Sequence, residues 1–147
     1  EFPDCPGLEG HSDADVLLHA IVDALLGAVA LGDIGQLYPN TDLAWKNRSS
    51  LYFLRETGDR LRAAGWDILN IDSTLVAEKP KVSQASAKMQ IAIANELQLE
   101  PNRVSIKATT NEKLGAIGRE EGIAAFATAN VRRRTGGSSH GSLGTKR

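Results

Sequence analysis

Apolar residues recur at helical spacing through Val16, Leu17, Ala20, Ile21, Ala24, Leu25 and Ala28, which predicts a first helix. Ser12, with Asp15 three residues on, caps its start, and Gly32 is expected to stop it near Leu31. The stretch Asp33 to Asp42, with its glycine, proline and carboxylates, reads as a loop suited to a ligand. Ser49 or Ser50 caps a second helix carried by Leu51, Leu54, Leu61 and Ala64 and ended by Gly65. Ile68 to Ala77 alternates and is β-branched enough for a strand, which stops at Glu78-Lys79-Pro80. A third helix runs from about Ser83 through Met89, Ile93 and Leu97, and a second strand covers Val104 to Thr109. Asn111 to Gly122 is glycine-rich and reads as a loop, with or without a short turn of helix. The last strand, Ile123 to Val131, is rich in alanine and is expected to pack closely against another surface.

At 147 residues and 41% hydrophobic content, the chain suffices for one domain with one core, assigned to residues 1–134. Residues 135–147 carry too little apolar content to offset their ordering entropy, so a disordered polar tail is expected there. A net charge of -1 and a pI near 6.4 exclude a cationic surface of the kind nonspecific nucleic-acid binding needs. Arg132-Arg133-Arg134 is then a solvated strand edge, and any anionic ligand must be held by local groups. The apolar run from Val16 to Leu31 is interrupted by His19 and Asp23, which makes it a poor membrane span. The single cysteine, Cys5, cannot pair within the chain and suits a reducing, cytoplasmic compartment.

Three segments concentrate chemistry. In Gly10-His11-Ser12-Asp13-Ala14-Asp15, leading to His19, two of the three histidines fall at the start of one helix. Helical spacing puts Asp15, His19 and Asp23 on one face. The helix's unpaired N–H groups, with Ser12 and His11, suit a phosphate. His19 suits a metal, with Asp23 as a partner one turn on, although a His–Asp pair serving helix stability alone fits the same spacing. In Lys107-Ala108-Thr109-Thr110-Asn111-Glu112-Lys113 a strand delivers hydroxyls, an amide and a carboxylate to its end. Hydroxyls and free amides suit phosphate oxygens, and Glu112 suits a hard cation between two phosphates; a polar turn is the plainer alternative. Ala77-Glu78-Lys79-Pro80-Lys81-Val82-Ser83 leaves backbone groups unpaired at a strand end, where they can meet a nucleobase edge or simply join strand to helix.

An ordered series of segments carries a resemblance: His-Ser-Asp-Ala-Asp-Val at 11–16, Asp-Ala-Leu-Leu-Gly-Ala at 23–28, Leu-Gly-Asp-Ile-Gly at 31–35 and Tyr-Pro-Asn-Thr-Asp at 38–42. Lys-Ala-Thr-Thr-Asn-Glu-Lys-Leu-Gly at 107–115 and Gly-Arg-Glu-Glu-Gly-Ile-Ala at 118–124 complete it. From about Gly7 to Val131 the chain resembles the 2-C-methyl-D-erythritol 2,4-cyclodiphosphate synthase family of the non-mevalonate isoprenoid pathway. The resemblance implies an α+β, chorismate-mutase-like mixed sheet packed with helices, assembled as a homotrimer with active sites between subunits. It implies a lyase that cyclises 4-diphosphocytidyl-2-C-methyl-D-erythritol 2-phosphate and releases CMP, in the cytoplasm or, in a plastid-bearing organism, the plastid stroma. The alternative is a truncated or inactive CDP-binding trimer without turnover.

Carried over by position, His19 matches a ligand to Zn²⁺ (or Mn²⁺), and His11 and Thr110 match residues that stabilise the transition state. Glu112 would hold Mg²⁺ or Mn²⁺ on the diphosphate, and Ser12, Thr109, Thr110 and Asn111 would meet phosphates. Asp33, Ile34 and Gly35 fall at the ribose, and Tyr38, Pro39, Asn40, Thr41 and Asp42 at the methylerythritol part. Ala77, Glu78, Lys79, Pro80, Lys81, Val82 and Ser83 fall at cytosine, and Ala116 and Arg119 near the phosphates and the trimer axis. Family members begin with a strand ending in Asp-x-His, which supplies two more zinc ligands. That motif does not occur here, so the family's first strand is expected to be missing and zinc to be held weakly by His19.

Overall fold

The computed structural model describes residues 11–39, 41–45, 48–79 and 85–135, and the side chains of His11, Ser12 and Asp13 fall outside that description. The candidate residues Asn40, Pro80, Lys81, Val82 and Ser83, and the expected tail after 135, also lie outside the described residues.

Helix α1 spans His11–Ala28 and ends earlier than the predicted Leu31. The reversal is made by Ala30, at φ 56°, which lets the Leu31 amide donate to the Leu26 carbonyl at 2.9 Å and satisfy a helix-end acceptor. Gly32, at φ 89°, turns the chain afterwards and is not the helix stop. The predicted loop contains a one-turn helix, α2, over Ile34–Leu37. Two carboxylates nucleate it: Asp23 Oδ1 accepts from the Ile34 amide and Asp33 Oδ1 from the Gln36 amide, both at 2.8 Å.

Helix α3 spans Ser50–Ala63, and its cap is Ser49, whose Oγ accepts from the Tyr52 amide at 3.2 Å. Gly65, at φ 85°, follows it as expected. Strand β1 covers Trp66–Val76, helix α4 Ser86–Leu97, strand β2 Val104–Thr109, the short helix α5 Gly115–Gly118, and strand β3 Ala124–Arg133. Strand β3 outruns the predicted Val131 because Arg132 and Arg133 stay in register with Asp67 and Trp66 of β1.

The sheet order is β2-β1-β3, with β1 parallel to β2 and antiparallel to β3. A bulge between Ile68 and Asn70 resets the alternation, so that Ile68 and Ile71, three residues apart, both turn inward. Ser73 and Leu75 follow on the inner face, where Ser73 Oγ donates to the Ser105 carbonyl at 2.9 Å. Leu17, Ile21 and Leu25 of α1, Leu54 and Leu61 of α3, and Ile93 and Leu97 of α4 complete the core. Ala125, Ala127 and Ala129 of β3 pack against it, and their small side chains let α1 lie close, as the alanine content foretold. The chain is thus an α+β domain with a mixed sheet. No helix among the described residues is long and apolar enough to cross a membrane.

Candidate active site

The ends of parallel strands β1 and β2 emerge side by side, where the Ala77 amide donates to the Thr109 carbonyl at 3.0 Å as the last rung of the ladder. Thr109, Thr110, Asn111 and Glu112 leave β2 there, and Ala77, Glu78 and Lys79 leave β1. The sequence had placed these two segments on one ligand, and the fold brings them together.

The loop after Thr109 holds an uncommon shape. Glu112 and Lys113 stand at φ 51° and 62°, a left-handed conformation that costs roughly 1 kcal/mol or more for each non-glycine residue and must be held by surrounding contacts. Glu78 Oε1 accepts from the Asn111 amide at 3.0 Å and from the Lys113 amide at 3.1 Å. Thr110 Oγ1 accepts from the Glu112 amide at 3.3 Å and donates to Glu112 Oε1 at 3.2 Å. Asn111 Nδ2 donates to the Leu114 carbonyl at 2.7 Å. The amides of this loop, expected to be free for phosphate, are therefore occupied by side chains. What faces solvent is the pair of threonine hydroxyls and the exposed Glu112 carboxylate.

Beyond α5, Arg119 forms a two-pronged pair with Glu121, Nε to Oε1 at 2.6 Å and Nη2 to Oε2 at 3.2 Å, which holds its guanidinium protonated even more firmly than usual. Lys79 Nζ lies 3.2 Å from Glu120 Oε1, and Glu120 is itself left-handed at φ 63°. The Ala116 carbonyl accepts from the Arg119 and Glu121 amides, so Ala116 shapes the turn that carries Arg119.

The other candidates form a second group around the end of α1. Asp33 and Gly35 are exposed and Ile34 half-buried, at the start of α2. The Asp23 carboxylate, one turn beyond His19 on α1, accepts from the Ile34 amide and fixes α2 against α1. His19 is exposed on α1. Tyr38 is buried at 5% exposure, and its hydroxyl lies 3.2 Å from Thr57 Oγ1. Its ring meets Trp45 edge-on at 5.2 Å and Phe53 at 4.9 Å, with the Arg60 guanidinium 5.4 Å away. Pattern analysis did not single out Trp45, Phe53, Thr57 or Arg60, although Phe53 and Thr57 share a helical face. Tyr38 thus anchors the loop in which Thr41 and Asp42 are exposed. The Asp42 carboxylate accepts from the Ala44 amide at 2.9 Å within its own turn. Among the described residues, no hydrogen bond or ion pair joins this group to the Glu78–Glu121 group.

A sequence model of the YgbB family matches residues 1–132. The chain belongs to the YgbB family. The 2-C-methyl-D-erythritol 2,4-cyclodiphosphate synthase of Synechococcus elongatus is 57% identical over 123 residues, 84% of this chain and 77% of that protein. The synthase of Symbiobacterium thermophilum is 54% identical over 131 residues, 89% and 83% of the two chains. Among solved structures, the bifunctional IspDF of Campylobacter jejuni superposes with a TM-score of 0.79 at 46% identity, covering 87% of this chain but 35% of that larger protein. IspF of Plasmodium falciparum, a CDP complex, gives 0.74 at 33% identity, covering 86% and 76%. The resemblance carried by the ordered motifs is thereby established, and this YgbB chain is of the cyclodiphosphate synthase kind.

The metal ligands implied for such a protein fit unequally. Among the described residues, no group of three or more His, Cys, Asp and Glu side chains is placed to hold a metal ion, and His19 is there a single exposed imidazole. The exposed Glu112 carboxylate suits a cation whose remaining ligands are phosphates and water.

Proposed function

We propose that this YgbB chain cyclises 4-diphosphocytidyl-2-C-methyl-D-erythritol 2-phosphate to 2-C-methyl-D-erythritol 2,4-cyclodiphosphate and releases CMP. An oxygen of the 2-phosphate bonds to the β-phosphorus, and the bond from that phosphorus to the bridging oxygen breaks. CMP departs with the bridging oxygen, so atoms balance without water or an outside nucleophile. Catalysis then consists of folding the substrate and neutralising its phosphates.

The observation that carries this reading is the loop from Thr109 to Glu112, clamped in a left-handed turn at the ends of two parallel strands. Thr109 and Thr110 offer hydroxyl donors to the diphosphate, and Thr110, released from Glu112, follows charge as it builds on the β-phosphate. The exposed Glu112 carboxylate would hold Mg²⁺ or Mn²⁺, which supplies charge neutralisation across the two phosphates. Ser12 would add a phosphate contact and His11 a transition-state donor, while Asp33, Ile34 and Gly35 would meet the ribose. Pro39 to Asp42 would face the methylerythritol part and Ala77 to Ser83 the cytosine. Zn²⁺ or Mn²⁺ held by His19 belongs to the same reading, and no step is routed through it. The CDP bound to the Plasmodium falciparum relative supports a cytidine diphosphate ligand here.

A homotrimer belongs to the reading as well. The outer sheet face carries Phe126 at 66% exposure, beside the Asp72–Lys107 pair at 2.7 Å and the Asn70–Asn130 bond at 2.8 Å. An exposed aromatic ringed by mutually satisfied polar groups suits a surface that another subunit covers. A cytoplasmic or plastid-stromal setting would provide the substrate.

The test is incubation of the purified protein with the diphosphocytidyl substrate and both metals. The account predicts CMP and the cyclic diphosphate in equal amounts; tight CDP binding with no CMP formed would overturn it.

A further inference from the structure

The Glu78 carboxylate bridges the segment leaving β1 and the start of the loop leaving β2. One oxygen, Oε1, takes both the Asn111 and the Lys113 amides, at 3.0 and 3.1 Å, across a sequence separation of 33 and 35 residues. Between those two amides sits Glu112, in the left-handed conformation its own side chain disfavours. A pair of N–H groups converging on one oxygen forms a concave nest, the arrangement that backbone uses to hold an anion. Here the anion is supplied by the chain itself. Lys79, next along, reaches Glu120 at 3.2 Å, so consecutive residues pin both limbs of the same loop.

We infer that Glu78 is a positioning residue that sets the direction of the Glu112 carboxylate and the Thr110 hydroxyl, and that it couples the nucleobase segment to the phosphate and metal loop. A ligand that contacts the chain at Ala77 to Lys79 steadies Glu78, and Glu78 in turn fixes the loop that receives the diphosphate. The inference rests on the proposed reaction, but its first consequence, the clamp, is independent of turnover. Glu78 acts by accepting hydrogen bonds, not by its charge, so an amide in its place retains an acceptor oxygen where an alanine retains none.

Two variants of the full chain, Glu78→Gln and Glu78→Ala, test it with three readouts. Amide hydrogen exchange at Asn111 and Lys113 is expected to be slow in the unmodified protein and in Glu78→Gln and fast in Glu78→Ala. Titration of CDP with and without Mg²⁺ is expected to show each ligand strengthening the other in the unmodified protein and in Glu78→Gln, with that mutual effect lost in Glu78→Ala. In turnover, kcat of Glu78→Ala is expected to fall about 100-fold, the scale of a misplaced catalytic group, with a smaller change in KM, and Glu78→Gln to recover most of it. If Glu78→Ala keeps slow exchange and near-normal kcat, or if Glu78→Gln is as impaired as Glu78→Ala, the inference is wrong. If the unmodified protein itself releases no CMP, the reaction fails, while the exchange data still judge the clamp.

Discussion

Gly118 lies directly against the backbone of Lys113. A Cβ built on Gly118 would collide with the Lys113 carbonyl carbon and stand 2.7 Å from its Cα and its oxygen. Because the obstacle is backbone, it cannot swing aside as a side-chain tip would. Gly118→Ala must therefore open the loop that carries Glu112, at a cost of about 1–3 kcal/mol for an overpacked contact. The expected result is a chain with near-normal far-UV circular dichroism, a lowered Tm and sharply weakened CDP binding in the presence of Mg²⁺. Unchanged binding would show that the Lys113 turn is not needed for the ligand.

Thr110→Ala removes a hydroxyl that both accepts from the Glu112 amide and donates to its carboxylate. Under the proposed reaction it is expected to lower kcat by roughly 100-fold, as loss of one transition-state donor does, with CDP affinity changed far less. Steady-state kinetics beside calorimetric CDP titration separates the two effects.

Tyr38→Phe leaves the ring packed but strands the buried Thr57 hydroxyl, which is 0% exposed. A loss of about 1 kcal/mol is expected in urea unfolding. In the unmodified protein, burial raises the Tyr38 phenol above its ordinary 10.0. A neutral form favoured by folding contributes stability that is complete below the unfolded value and fades as pH rises through the folded one. Phenolate absorbance is therefore expected to show one tyrosine ionising late, together with alkaline unfolding.

Asp67 accepts from Arg134 Nε at 2.6 Å and more weakly from Arg132 at 3.5 Å. The Arg134 hydrogen bond, helped by Arg132, holds its carboxyl below the ordinary 3.8. Since the folded chain binds this proton less tightly than the unfolded one, the pair stabilises above the usual carboxylate range and is lost as pH falls through the folded value. Asp67→Asn is expected to be slightly less stable at neutral pH and to show a flatter decline below about pH 4. Thermal melts across that range, at low salt, provide the check.

These partners also show what was legible in the sequence. Alternation alone located β2 at Val104–Thr109, and the serine pair Ser49-Ser50 announced the start of α3, because both signals are local. The alanines of β3 foretold close packing against another surface, which the structure shows to be α1, because close approach requires small side chains. The end of α1 at Ala28, the turn of α2 and the bulge after Ile68 were not visible, since distant groups decide them. Asp23 reaches Ile34 across 11 residues, a bond that no periodicity encodes. The threonines and Glu112 were recognisable as chemistry by type and position. Glu78, taken for part of a nucleobase segment, was not recognisable as the clamp on Asn111 and Lys113, because that depends on how the two strand ends meet.

Among the described residues, no hydrogen bond or ion pair joins the candidates around the α1–α2 corner to those at the ends of β1 and β2. The central claim is that they meet across a subunit boundary around one cytidine diphosphate ester. His11→Ala and Thr110→Ala, each strongly impaired alone, should regain CMP release when the two chains are coexpressed and purified as mixed oligomers, because some boundaries then carry both intact residues. Mixed oligomers that remain as inactive as either variant, while the unmodified protein turns over, would contradict the claim.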